Sequence, residues 1–153
     1  MYRNYFLLNR LVLELAPLLK GAAITSAFSQ EKDRLILQLL KNGDEFFLEL
    51  SLNPGNPFVI YRESYSRAKK NTVEFFNDYL PLKIKTVLLA SDDRIIKFLG
   101  ENGSFYFAIR GKFTNFYFID DEGKILSFEK LDEGSADGLS EEFSKKSYLG
   151  SFN

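Results

Sequence analysis

The chain has 153 residues, a formal charge of −1 and neither cysteine nor histidine. That removes disulfides, thiolate nucleophiles, imidazole bases and ordinary zinc sites together. A hydrophobic fraction of 45% with 16 Phe and 8 Tyr is ample for a packed core of one domain.

The opening segment places Leu8, Leu11, Val12, Leu15, Leu18 and Leu19 at helical spacing, with Asn9, Arg10, Glu14 and Lys20 on the other side. This predicts an amphipathic helix that Pro17 and Gly21 end near residues 16–20. It does not read as a signal peptide, because Asn9, Arg10 and Glu14 interrupt the apolar run and no small-residue cleavage site follows. No apolar run reaches the roughly 18–20 residues that span a bilayer. The expectation is a cytoplasmic protein with no membrane partner.

Strand signals come next. Leu35, Leu37 and Leu39 share one face, and Phe46, Leu48, Leu50 and Leu52 alternate with Phe47, Glu49 and Ser51. Between them "KNGD" at 41–44 predicts a tight hairpin, since Asn-Gly accepts positive φ. "NPGNP" at 53–57 predicts a loop, and a short strand follows at 58–61. Residues 62–70, "RESYSRAKK", hold Arg62, Arg67, Lys69 and Lys70 against Glu63 alone, with Tyr61 and Tyr65 interleaved. Two readings stand side by side: a grip on phosphates and unpaired bases, or a solvated loop ahead of a helix. Asn71 or Thr72 caps a second predicted helix running through Leu80, which Pro81 closes.

Further strands are predicted at 83–90, 94–99, 104–110, 115–119 and 124–129, with turns at Asp92-Asp93, Asn102-Gly103, Gly111-Lys112 and "DDEG". Lys83 and Lys85 extend a basic patch or solubilise an exposed face. Alternation in "SFYFAIR" and "NFYFID" sends half of those rings to the core. Asp120, Asp121 and Glu122 lack the ligand spacing of a calcium loop, and no cofactor is expected. From residue 131 the chain turns acidic and rich in Gly and Ser. Residues 1–130 carry 18 basic and 16 acidic side chains, whereas 131–153 carry 2 and 5. The expected division is a domain over 1–130 and a flexible tail or linker over 131–153, with further domains of a longer chain beyond.

Sliding 24–47 onto 84–107 without a gap gives 8 identities in 24 positions, among them Asp33 on Asp93, Arg34 on Arg94, Asn42 on Asn102 and Gly43 on Gly103. The unit is helix–strand–strand–strand, used twice. The expected fold is α+β: a pseudo-symmetric antiparallel β-sandwich with a helix at each end. On the residues alone, Asp93-Arg94 is either turn chemistry, as in the first copy, or a polar site.

Residues 7–130 resemble the N-terminal part of the NFACT proteins, also called fibronectin-binding protein A homologues. The landmarks are "LVLELAPLLKGAAI" (11–24), "DRLILQL" (33–39), "LKIKTV" (82–87), "DDRIIKF" (92–98) and "GKFTNFYFIDDEGKIL" (111–126). The resemblance implies a ribosome-associated quality-control factor that binds the large ribosomal subunit and tRNA, so that a stalled chain is tailed. It assigns tRNA recruitment to an Asp-Arg pair that maps onto Asp93 and Arg94, and leaves Asp33-Arg34 structural. The segment "TVEFFNDYL" departs from the basic pattern the family has there, and the family's later helical, coiled-coil and RNA-binding parts are not in this chain. A binding module is therefore expected rather than tailing activity.

The implied fold is also similar to the N-terminal domain of formamidopyrimidine-type DNA glycosylases. Those enzymes need a proline at residue 2 followed by Glu, and this chain has Tyr2 and Arg3. No secondary-amine nucleophile can be built from them, so a non-enzyme is expected. The alternatives are a surface adhesin that binds fibronectin, or a catalytically dead glycosylase-like DNA-binding domain.

Overall fold

The first helix, α1 (Tyr5–Leu19), starts where the Asn4 side chain accepts a hydrogen bond from the Phe6 N–H at 2.8 Å. Its stripe of Leu8, Leu11, Val12, Leu15, Ala16 and Leu19 is buried. Leu18, expected inside, points outward because Ala16 and Leu19 already fill the last inward turn. Pro17 is tolerated so close to the end. The Lys41 ammonium donates to the Pro17 and Leu18 carbonyls at 3.0 and 3.2 Å, where a helix C-terminus favours a cation.

The computed structural model describes residues 4–131, 134, 136 and 138–149. Within them β1 (Ala23–Ser29), β2 (Arg34–Lys41), β3 (Asp44–Ser51) and β4 (Phe58–Arg62) form an antiparallel meander. Two short segments, β5 (Val73–Glu74) and β6 (Leu82–Lys83), pair with opposite ends of β1 and complete a first six-stranded sheet. The second sheet runs β11 (Ile125–Ser127), β10 (Asn115–Asp120), β9 (Gly103–Ala108), β8 (Ile95–Leu99), β7 (Thr86–Ala90) and β12 (Tyr148–Leu149). With α1 and α2 (Leu139–Lys145) this is the expected α+β fold of two helices and two antiparallel sheets.

One core holds them together. Ile24, Leu35, Leu37, Leu39, Leu48 and Leu50 of the first sheet meet α1 and Leu89, Ile96, Phe98, Phe105, Phe107, Phe116 and Phe118 of the second. Each outer face carries a smaller apolar patch as well. On the first sheet it is Phe28, Ile36 and Phe47, roofed by Tyr65. On the second it is Ala90, Ile95, Tyr106, Ala108, Tyr117 and Ile119, roofed by Phe143 of α2.

Two expectations are corrected. The helix predicted over 72–80 is absent. Residues 73–74 are taken by the edge of β1, and Phe76 adopts φ 61° to enter the core against Phe105 and Phe116. Only a single 3-10 turn, Asn77–Tyr79, remains helical. Thr, Val, Phe and Tyr crowd this segment and favour extended chain, so sheet pairing overrides the helical spacing. The stretch read as an unpacked tail is, over 139–149, a helix and a strand held on the second sheet. Phe143 is fully buried and β12 pairs with β7.

The repeat is real but one residue out of step with its letter matches. The pairs Ile36–Glu49 and Ile95–Ala108 are equivalent, as are Leu39–Phe46 and Phe98–Phe105; at every member the displacement is 59 residues. Sixty would send every side chain to the opposite face. Arg34, not Asp33, is therefore the counterpart of Asp93. Asn42 and Gly43 form the tight turn with φ 53° and 84°. Gly103 instead lies inside β9 opposite Asp120, contrary to the turn expected at Asn102-Gly103.

Candidate nucleic-acid interface

The basic segment 62–70 lies against the outer face of the first sheet and is clamped there. Gln30 donates from Nε2 to the Ser66 carbonyl at 3.1 Å and accepts from the Ala68 N–H at 2.8 Å. Arg62 donates from Nε to Glu49 at 2.6 Å, and Arg34 reaches the other oxygen of the same carboxylate at 2.5 Å. Glu49 is only 5% exposed, so two guanidiniums satisfy one nearly buried anion. Arg67 lies over the Phe28 ring at 4.2 Å and meets Glu74 at 3.4 Å. Tyr65 is half-buried between Phe28 and Phe47 rather than offered for stacking. Lys69 and Lys70 are exposed and form no ion pair among the described residues.

Asp93 and Arg94 belong to the second sheet, in the corner between β7 and β8. The Asp93 carboxylate accepts from the Arg94 N–H at 2.7 Å, from Arg110 at 3.0 Å and from the Lys146 ammonium at 3.2 Å. Arg110 also donates to Glu142 of α2 at 2.6 Å and lies over the Phe143 ring at 5.2 Å. Burial by itself would raise the Asp93 carboxyl, but the Arg94 N–H, Lys146 and Arg110 outweigh it and hold it below the ordinary carboxylate value. Burial likewise weakens the charge on Arg110, yet Glu142 and then Asp93 more than restore it. The corner is thus a charge-balanced network in which Asp93, with its side chain 25% exposed, orients rather than floats.

The two groups of sequence candidates are not brought together. Arg62 lines a cleft with Gln30, Arg34 and Ser64, whereas Asp93 and Arg94 line another with Tyr5, Ser91 and Asp92. Arg94 also faces a cleft with Pro54, Gly55 and Lys112. Sequence reasoning missed Arg110, Glu142 and Lys146. The turn expected at Asn102-Gly103 is displaced from the actual one, and it is the actual register that carries Arg110 across from Asp93. It also passed over a neighbouring cleft of about 510 Å³ whose lining includes Asp33, Arg110, Lys112, Phe113, Glu129 and Lys130. Among the described residues no cluster of acidic side chains is arranged to hold a metal ion, and no helix is long and apolar enough to cross a membrane.

No family model matches the sequence, and no curated protein does. The fold is similar to solved structures. One is the N-terminal domain of the fibronectin-binding protein PavA from Streptococcus pneumoniae, at 22% identity and TM-score 0.73, covering 83% of this chain and 54% of that one. Another is the N-terminal part of the fibronectin/fibrinogen-binding protein from Streptococcus suis, at 22% identity and TM-score 0.70, covering 85% and 55%. The fibrinogen-binding protein from Staphylococcus aureus follows at 17% identity and TM-score 0.64, covering 87% and 52%. The chain spans about half the length of each of these solved chains. They are named as binding proteins rather than enzymes, and at these identities the likeness is one of fold.

Proposed function

We propose that this chain is a cytoplasmic nucleic-acid-binding module of a ribosome-associated quality-control factor, one that engages tRNA and the large ribosomal subunit. Its resemblance to the NFACT N-terminal region and its fold both support this reading, and a single geometric observation carries the site. The second corner holds a partly exposed Asp93 fixed by three donors beside Arg94, and the first corner has no equivalent arrangement. Arg94 lines a cleft with Pro54, Gly55 and Lys112, and a guanidinium there suits phosphate or a base edge. Exposed Lys69 and Lys70 add counter-charge elsewhere on the surface, whereas Arg62 and Arg67 serve the fold first.

The test is a fluorescence-anisotropy titration of labelled tRNA with the 153-residue chain at several salt concentrations. Affinity falls steeply with salt, as phosphate contacts release counterions. Arg94→Ala lowers it about tenfold, and Arg94→Lys, which keeps the charge but not the fork, recovers part of that. A wild-type chain without salt-dependent tRNA binding would sink the reading.

The names of the similar structures favour a second reading, a module that binds fibronectin or fibrinogen. Binding of the same chain to immobilised fibronectin, with none to tRNA, would put that reading in first place.

A further inference from the structure

The turn Gly111–Phe113 connects β9 to β10 and presents a bare aromatic ring. Phe113 is 67% exposed although it follows a strand whose other rings are buried. The exposure is fixed by the backbone rather than by looseness. Gly111 takes φ 58°, and the Thr114 hydroxyl accepts from the Arg110 N–H at 3.0 Å while donating to the Gly111 carbonyl at 2.8 Å. The Phe113 N–H closes on the Arg110 carbonyl at 3.0 Å, and Thr114 is itself buried. Four residues are thus tied so that one ring stays in water, which forgoes the benefit of burying it.

The surroundings say what the ring suits. The Lys112 ammonium lies 5.1 Å from its centroid. Lys112, Lys130 and Arg110 share the cleft of about 510 Å³ with Phe113, a volume in the range that holds a small ligand. Lys112 and Arg94 share the next cleft. Asp33 and Glu129 also line the larger cleft and repel phosphate, whereas the next cleft, with Lys112 and Arg94, has no carboxylate in its lining among the described residues. An aromatic face beside cations fits an unpaired nucleobase whose flanking phosphates run past the cations.

We infer that Phe113 is the stacking platform for one unpaired base of a single-stranded RNA segment, with Lys112 and Arg94 holding the adjacent phosphates. This rests on the proposed nucleic-acid function and gives it a second contact point. The experiment titrates a fluorescently labelled 12-nucleotide single-stranded RNA, and separately a labelled fibronectin fragment, with the 153-residue chain and its variants. Phe113→Ala lowers RNA affinity by about tenfold, the usual range for one base stacked on one ring. The salt slope is unchanged, and Phe113→Trp restores affinity. Lys112→Ala instead flattens the salt slope by about one phosphate contact.

The ring is exposed, so Phe113→Ala keeps the melting temperature. If wild type binds RNA and Phe113→Ala binds it equally well, this inference fails while the proposed function stands. If wild type binds tRNA but not the 12-nucleotide RNA, this inference fails while the proposed function stands; if it binds neither, both fail. Loss of fibronectin-fragment binding in Phe113→Ala, with RNA binding intact, assigns the ring to a protein partner and overturns the inference.

Discussion

Arg34 and Asp93 occupy the same place in the two meanders and carry opposite charge. Arg34 is drawn to Glu49, a nearly buried carboxylate on the neighbouring strand that Arg62 shares. Asp93 is drawn to Arg110, just past the end of β9, which Glu142 shares. In both places a half-buried ion pair closes the start of the second strand, and in both a guanidinium lies over an aromatic ring of the outer patch: Arg67 over Phe28, Arg110 over Phe143. The likeness stops there: under the same displacement Glu49 corresponds to Ala108 and Arg110 to Ser51, and among the described residues only the second corner holds a carboxylate fixed by three donors. What distinguishes the second corner is that its roof comes from a separate helix, so the network bridges the sandwich and a later stretch of chain.

Breaking that roof is expected to show the largest effect. Phe143→Ala deletes a fully buried ring and costs about 3–5 kcal/mol of the docking of α2 and β12. It should read out as a new protease-sensitive site within 139–149. Tyr65→Ala, its half-buried counterpart on the first sheet, costs about 1–2 kcal/mol in a urea melt. Equal losses at the two sites would contradict the different roles given to them.

The glycines sharpen the comparison at a smaller scale. A Cβ at position 103 would lie 2.5 Å from Phe118 Cζ and 2.9 Å from the Asp120 Cα, so Gly103→Ala forces backbone apart and costs about 2–3 kcal/mol. Nothing stands within 4 Å of a Cβ at position 43; there only the φ of 84° resists, and Gly43→Ala costs about 1 kcal/mol. Thermal melts of the two variants that come out the same would refute the assignment of strand and turn.

The smallest effect is one of pH. The folded Asp93 carboxyl is held below its ordinary 3.8, so it favours the docked state above that value and loses its contribution as pH falls through the lowered one. Between pH 5 and 2 the Phe143 and Tyr148 ring signals in NMR should begin to shift before the sandwich itself unfolds. In Asp93→Asn that early step should vanish, because the group no longer titrates.

The sandwich was readable because its signals are local. Alternation over 46–52 and an Asn-Gly pair flanked by strands state their own geometry. The corner was not, because its partners are set by register. Eight identities at one offset concealed a pairing displaced by one residue less, and only that pairing puts Arg110 across from Asp93. Arg62 and Arg67 counted as basic residues in a run, but the buried charge of Glu49 and the face of Phe28 that engage them lie on other strands. The segment 72–80 has helical spacing and strand-forming residues at once, and the vacant edge of β1 decided between them. In α2 a lone Phe143 among Ser, Glu and Lys gives no periodicity to detect, although it fills a waiting hollow between Tyr106 and Tyr117.

The covered outer face of the second sheet bears on how the protein can be shortened. A version cut at residue 130 would retain every strand from β1 to β11 yet bare Ile95, Tyr106, Tyr117 and Ile119 as a contiguous oily surface. Patches of that kind drive self-association. A trimmed domain intended for crystals or binding assays should therefore keep residues through 149, or clumping will be mistaken for a biological oligomer.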